Sequence, residues 1–477
     1  MSTLLFFDDN VLAVRENVIR GVGSPELIPE SVWRDDERLS TAWGYPGVFF
    51  DEDDGLWRMV YQANVAGNAA VRRWGMRVCK LVAESEDGLQ WRPRDTTKLV
   101  DIPRRRFPHQ VADGADEWAG LYLDERADPS ERIKRLAVRE VWASPDGLRW
   151  RHIADWRPDV VDAPMCAFYN EVFGRHFIIA RPGKGDRRVA LYQTDDWRSF
   201  EGPVLLLQTD GQDDPLTDLY GMPVFPYEGW FIGLVWLYHG AAQFQGSSAY
   251  KFTGGKVDCQ LAYSLNGLGW QRTLRETFIG NGDPGSPTAG CVYPSSLVMR
   301  PDTDDIWIYA SACTHEHGLT PRGSGSIVAY RMRRDGFVHL QSRSGVGRIV
   351  TKPMYWRGGE LRLNVQGLGP GARADPSGNF LLTCGARVQI AAGIRGQPIE
   401  GYTFDECRAY AGDSLQWRPT WRSGRKLDQL KGQIIQVGIE LNNARLYAIR
   451  GDFQLLCPRE VLDFEETGEP PAPRPGF

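Results

Sequence analysis

Ser85-Glu86-Asp87-Gly88-Leu89-Gln90-Trp91 returns as Ser144-Pro145-Asp146-Gly147-Leu148-Arg149-Trp150 and again as Ser264-Leu265-Asn266-Gly267-Leu268-Gly269-Trp270. Two degenerate copies complete the series, Thr194-Asp195-Asp196-Trp197-Arg198-Ser199-Phe200 and Arg334-Asp335-Gly336-Phe337. Each copy follows a short strand-like run such as Val78-Cys79-Lys80-Leu81-Val82-Ala83. The Asp-Gly or Asn-Gly step supplies a tight hairpin turn, and the Trp packs beneath it. An internal period of this length has to be settled before any motif is weighed, because it sets the architecture.

Upstream of each copy lies a second recurring feature, an apolar strand, a turn and an aromatic-rich strand. The first pair is Tyr45 to Asp51 and Gly55 to Tyr61; the others begin at Gly120, Ala167, Leu219 and Cys291. Each unit therefore reads as three strands, a turn and an outer strand. The chain is expected to be all-β, a five-bladed β-propeller followed by a small β-sandwich. The expected boundaries are 1–40 for a segment completing the propeller and 41–349 for the propeller itself. Residues 350–464 follow as the sandwich, where the turn repeat stops, and 465–477 as a loose Pro-rich tail.

Composition agrees. The 477 residues include 17 Trp, 17 Tyr and 20 Phe beside 52 Gly and 30 Pro, too many breakers for a helical protein. A net charge of −5 offers no basic field for a phosphate backbone, so nucleic acid is not an expected partner. The Arg104-Arg105-Arg106 run is too short to change that, and no glycine stretch has a P-loop pattern. The eight cysteines contain no C-x-x-C pair, which argues against a zinc ribbon and a compact disulfide framework. No run of 18 apolar residues suggests a membrane span, and the first residues lack the basic region of a signal peptide. A cytoplasmic protein is the expectation.

The Ser-x-Asp-Gly-x-x-Trp blade ends resemble those of the five-bladed glycoside hydrolases of the β-fructosidase and arabinanase superfamily, families 32, 43 and 68. A less characterised branch with a C-terminal sandwich is similar over nearly the whole chain. The resemblance is carried by Phe49 to Tyr61, by Asp214-Pro215 with Leu219-Tyr220-Gly221-Met222, and by Ile399 to Thr403, Gly412-Asp413-Ser414 and Ala444 to Tyr447. It implies a glycosidase acting on small oligosaccharides or glycosides, with fructosyl or arabinosyl furanosides favoured; the alternatives are a transglycosylase or phosphorylase on the same fold, or a non-catalytic carbohydrate-binding propeller. No redox cofactor is required, and there is room for a structural divalent cation such as calcium and for a homo-oligomer. Where the superfamily carries an Asp-Pro at the first inner strand, this chain reads Thr41-Ala42-Trp43-Gly44-Tyr45-Pro46, without a carboxylate.

In a propeller the inner strands of all blades converge at the axis, so acids at their starts are the catalytic candidates. Glycoside cleavage needs one carboxyl near the leaving oxygen and a second across the sugar. Asp162 opens blade three, Asp214 and Asp218 precede blade four, and Asp283 precedes blade five. Asp113, Asp116 and Glu37 precede blades two and one. Asp in such Gly/Pro loops also commonly bonds its own backbone in an Asx turn. Thr314-His315-Glu316-His317-Gly318 is the one His cluster: Glu316 is a further candidate acid, and His315 and His317 are candidates for substrate hydroxyls. Trp43, Tyr45 and Tyr220 are candidate sugar platforms, with core packing the competing role. Arg181 is a candidate hydroxyl or carboxylate partner. No metal site is assigned.

Overall fold

Strand pairing divides the chain between two units, Ser24–Arg333 and Met1–Gly23 with Arg334–Phe477. The computed structural model describes residues 2–64, 78–103, 105–112, 117–156, 166–183, 187–240, 254–317, 323–369, 384–393 and 395–473. Among these there is one α-helix, and no helix is long and apolar enough to cross a membrane.

In Ser24–Arg333 the strands run in consecutive antiparallel groups of four, in the order of a β-propeller. Gly47–Asp51, Leu56–Asn64, Val78–Ser85 and Arg92–Pro93 form the first, with Gln110–Ala112 beside the third strand. The second runs from Trp118–Leu123 to Arg151–Asp155, the third from Cys166–Asn170 to Glu201–Leu207. The fourth group, Thr217–Gly221 to Gln271–Ile279, and the fifth, Cys291–Arg300 to Gly325–Arg333, are joined in one nine-stranded sheet. Their junction is a single parallel pair, Val257 with Cys291. The outer place in the fifth group is taken by Glu26–Leu27 from the start of the unit, paired with Tyr330 and Arg331.

The repeat explains how the groups hold together. Ser85 Oγ accepts from Gly88 N at 2.9 Å, while Asp87 Oδ1 accepts from the amides of Leu89 and Gln90 at 2.8 Å. Ser144/Asp146 and Ser264/Asn266 repeat the arrangement. The glycine stands at φ +78, +75 and +77° in the three copies, a conformation that costs a side chain. In the degenerate copy Trp197 occupies the same position at φ +59°. Each turn docks on the preceding group. Gly147 lies against Phe49, Trp197 against Tyr122, and Asn170 Nδ2 donates to Asn266 O at 2.9 Å. The first group's turn docks on the fifth, where Tyr309 Oη donates to Gly88 O and Arg300 Nη1 to Asp87 O. With the Val257–Cys291 strand pair joining the fourth and fifth groups, these four dockings link all five groups in a ring.

The last copy behaves differently. Arg334-Asp335-Gly336-Phe337 belongs to the other unit, and Asp335 is buried, accepting from both terminal nitrogens of Arg450 and from Asn364 Nδ2. The segment is still a turn, with Asp335 at φ +62°, but its acid is held in a core ion pair.

In the second unit the first 23 residues do not complete the propeller. Ser2–Leu5 pairs with Ala444–Leu455, Leu12–Glu16 with Val346–Thr351, and Val18–Val22 with Val338–Ser342. Only the part of the 1–40 segment from Ser24 onward joins the propeller unit. The described strands of this second unit all belong to one eleven-stranded network. The long strand Met354–Gly367 changes partners along its length, from Gln433–Asn442 to Asp413–Trp417, with Gly358 and Gly359 at φ +117 and +79° between the two halves. Strands that switch partners at such bends turn the corner between packed sheets. Within the expected sandwich, the strand-like apolar run at 380–383 lies outside the described residues.

A helix, Pro458–Thr467, crosses the expected boundary at 465, so it takes in the end of the expected sandwich and the first residues of the tail. Pro458 fits its first turn, Glu460 accepts from Cys457 N at 2.8 Å, and Gly468 ends it in the left-handed conformation. Val461 packs on Ile434 and Leu456. All eight cysteines are free thiols, and seven are buried.

Candidate active site

Five of the six expected substrate-binding residues meet in the propeller unit. Trp43, Tyr45 and Tyr220 share one buried cluster with Trp236, Tyr238 and Tyr293, built from the inner strands of the fourth and fifth groups and the approach to the first. Tyr45 stacks on Trp236 at 5.5 Å, and Tyr220 packs on Tyr293 at 5.4 Å. The rings of Tyr45, Trp236 and Tyr293 are almost wholly enclosed, so they act as core rather than as open sugar platforms.

The polar edge of the cluster is where chemistry is available. His317, beyond the strand that ends at Cys313, lies 4.9 Å from Tyr220 and 5.3 Å from Tyr238 between ring centroids. Its Nδ1 is 3.1 Å from Tyr293 Oη, and its amide donates to Gly255 O. Burial, reinforced by the charges of Arg187 and Arg181, pushes its imidazole down to about 3, so it is neutral across the physiological range. Arg181 is buried and donates through Nε and Nη2 to Tyr220 O at 3.2 and 2.9 Å, with its guanidinium 4.5 Å from the Tyr220 ring. Arg187, which sequence reasoning did not single out, lies 4.2 Å from the Tyr238 ring and 5.4 Å from Tyr220. Its Nη1 is buried without a hydrogen-bond partner among the described residues and sits 3.7 Å from Asp218 Oδ2.

The expected acids separate. Asp218, on the strand Thr217–Gly221 opposite Tyr238, is the carboxylate the structure brings to this edge. Asp214 is exposed in a turn, where Oδ1 accepts from Leu216 N at 2.9 Å, and Asp283 is exposed in another, its carbonyl accepting from Ser286 N. Both are turn residues. Glu316 is half-buried, its Oε2 against Gly254, where an added Cβ would approach to 2.5 Å. His315 is exposed, so the two histidines do not share a strand face. Asp162, Asp113 and Asp116 lie outside the described residues. Among the described residues no group of three His, Cys, Asp or Glu side chains could hold a metal ion.

No protein-family model and no curated protein sequence matches the chain. Among solved structures it is similar to a thermostable family-43 glycoside hydrolase, at 15% identity and a TM-score of 0.40, over 63% of this chain and 92% of that one. A glycosyl hydrolase from Bacteroides ovatus matches at 14% identity and a TM-score of 0.41, over 66% and 94%. The β-1,2-mannobiose phosphorylase from Listeria innocua, in complex with β-1,2-mannobiose, matches at 10% identity and a TM-score of 0.41, over 64% and 97%. At these scores the likenesses carry no argument about chemistry, which rests on this chain's own residues.

Proposed function

We propose that the chain is a glycosidase that binds small oligosaccharides or glycosides at the edge formed by Tyr220, Tyr238, His317, Arg181 and Arg187. Fructosyl and arabinosyl furanosides are the substrates that the sequence resemblance favours. The observation that carries the reading is the meeting of two guanidiniums and a neutral imidazole on two tyrosine rings beside one carboxylate, Asp218. Guanidinium and imidazole donors suit the hydroxyls of a sugar, and the tyrosine rings beneath hold those donors in place. As half of an ion pair, Asp218 fits the base or the charge-stabilising anion, with Glu316 or Asp162 as proton donor.

A second reading is phosphorolysis. Arg187 Nη1, buried and without a hydrogen-bond partner among the described residues, together with Arg181 forms a paired cationic edge that an anion such as phosphate would satisfy. Product analysis separates the two. Wild type and Asp218→Asn are incubated with fructo-, arabino- and pyranosyl substrates, with and without inorganic phosphate. Free reducing sugar independent of phosphate supports hydrolysis, and a glycosyl phosphate, phosphorylated at the anomeric carbon, that appears only with phosphate supports phosphorolysis. Turnover of neither kind on any substrate would overturn both readings.

A further inference from the structure

Away from these residues, the segment between Glu26–Leu27 and Gly47–Asp51 walls two neighbouring cavities of about 400 and 190 Å³ that share Arg34, Asp35 and Asp36. The larger falls within the usual size of small-ligand sites, about 300–1,000 Å³. At its base lies Asp35, whose side chain is only 3% exposed. Tyr61 Oη donates to its Oδ2 at 2.6 Å, and His109 Nε2 meets the same oxygen at 3.0 Å. Oδ1 receives no hydrogen bond from a described residue. Thr41, which lines the smaller cavity, has its Oγ1 buried without a partner among the described residues. A carboxylate oxygen with no bond from a described residue and a buried, unpartnered hydroxyl beside the same pair of cavities mark a place where a ligand supplies the missing bonds.

The charges around them narrow its chemistry. Arg38 is taken up by Asp36, whose carboxyl it holds down at about 2, and Arg34 spends Nε on Ser326 Oγ at 3.1 Å, leaving its terminal nitrogens as donors. An anion would face Asp35, Asp36 and Glu37, and a cation would face Arg34 and Arg38. A neutral ligand that both donates and accepts meets neither penalty, and Trp33, Phe107 and Pro108 give it apolar walls. We infer that this double cavity binds a neutral polyhydroxylated ligand of sugar-ring type. One hydroxyl donates to Asp35 Oδ1, and another accepts from Arg34. This site is distinct from the Tyr220–Arg187 edge and does not rest on the activity proposed for it.

The test is calorimetric titration and saturation-transfer NMR of the full chain with D-glucose, D-mannose, D-galactose, D-fructose and L-arabinose. Each is measured on wild type, Arg187→Ala, Asp35→Asn and Arg34→Ala. At least one sugar is expected to bind wild type and Arg187→Ala alike, and about tenfold or more weakly to Asp35→Asn and Arg34→Ala. Arg34 is exposed, so its variant keeps the test informative if Asp35→Asn fails to fold. Absence of saturable binding by any of these sugars would overturn the inference. So would binding lost in Arg187→Ala but kept in both cavity variants, an outcome that leaves the proposal for the Tyr220 edge standing.

Discussion

Tyr309 donates its hydroxyl to the carbonyl of Gly88 at 2.9 Å, across 221 positions of sequence, and so ties the first strand group to the fifth. Replacing Tyr309 by Phe leaves that carbonyl unsatisfied in a buried place, at a cost of about 1–3 kcal/mol in urea unfolding. Gly88→Ala acts from the other side, since its φ of +78° disfavours a side chain and the new Cβ would come 2.8 Å from Tyr309 Oη. We expect about 1–3 kcal/mol there too. The double variant should cost less than the two changes added, because both weaken the same contact. Full additivity would show that this contact does not couple the two groups.

The pair Asp335–Arg450 lies in the other unit, with almost no exposed side-chain surface. Arg450→Met strands a buried carboxylate and should cost about 3–5 kcal/mol. Asp335→Asn combined with Arg450→Met should recover part of that loss, which calorimetric melting of the three proteins would show.

At the candidate active site, Arg187→Ala should lower kcat/KM on any substrate identified by about 100-fold, the typical loss of one charged donor from a reacting centre. Asp214→Asn and Asp283→Asn, in exposed turns, should leave kcat/KM within about twofold of wild type. A strong loss in either would return that acid to the catalytic set.

His317 is pushed down to about 3 and His339 to about 4 by burial, from an ordinary value of 6.5. In the unfolded chain both take up a proton as pH falls below about 6.5, whereas in the folded chain they stay neutral. Their contribution to stability is therefore present above that value and lost progressively as pH falls toward 3–4. Urea midpoints between pH 7 and pH 4 should drop less steeply for His317→Gln and His339→Gln than for wild type. Identical slopes would assign the acid sensitivity to other groups.

Much of the propeller was legible because Ser-x-Asp/Asn-Gly-x-x-Trp is a local device: the serine and the acid bind their own backbone, so no distant partner is needed to recognise it. The same locality misled at Arg334-Asp335-Gly336, where Asp335 turns to Arg450, more than a hundred positions away. Strand partners were equally hidden. Leu12–Glu16 and Val18–Val22 show the composition of strands, but nothing in them says that they pair beyond residue 334. At the candidate site, Trp43, Tyr45, Arg181, Tyr220 and His317 could be named as aromatic or basic residues near inner strands. Arg187, Asp35 and His109 could not, because their significance comes from Tyr238, Tyr61 and each other, which only the fold brings within reach.

Val22 and Val338 are direct partners on adjacent antiparallel strands. Between them the chain leaves one unit, builds the whole of Ser24–Arg333 and returns to the next strand over. In the language of polymer topology, an entire propeller is the loop of a β-hairpin. Loop-closure entropy grows only with the logarithm of loop length, about 0.6 kcal/mol per doubling, so a loop this long adds little once it is itself folded. Order of synthesis is the larger constraint. The strands at 2–22 emerge first and have no sheet to join until residues 338–455 follow, so the second unit can close only after the propeller has been made. A chain cut at residue 333 would carry three orphan strands at its head, with open edges ready to pair with one another or with a neighbouring molecule.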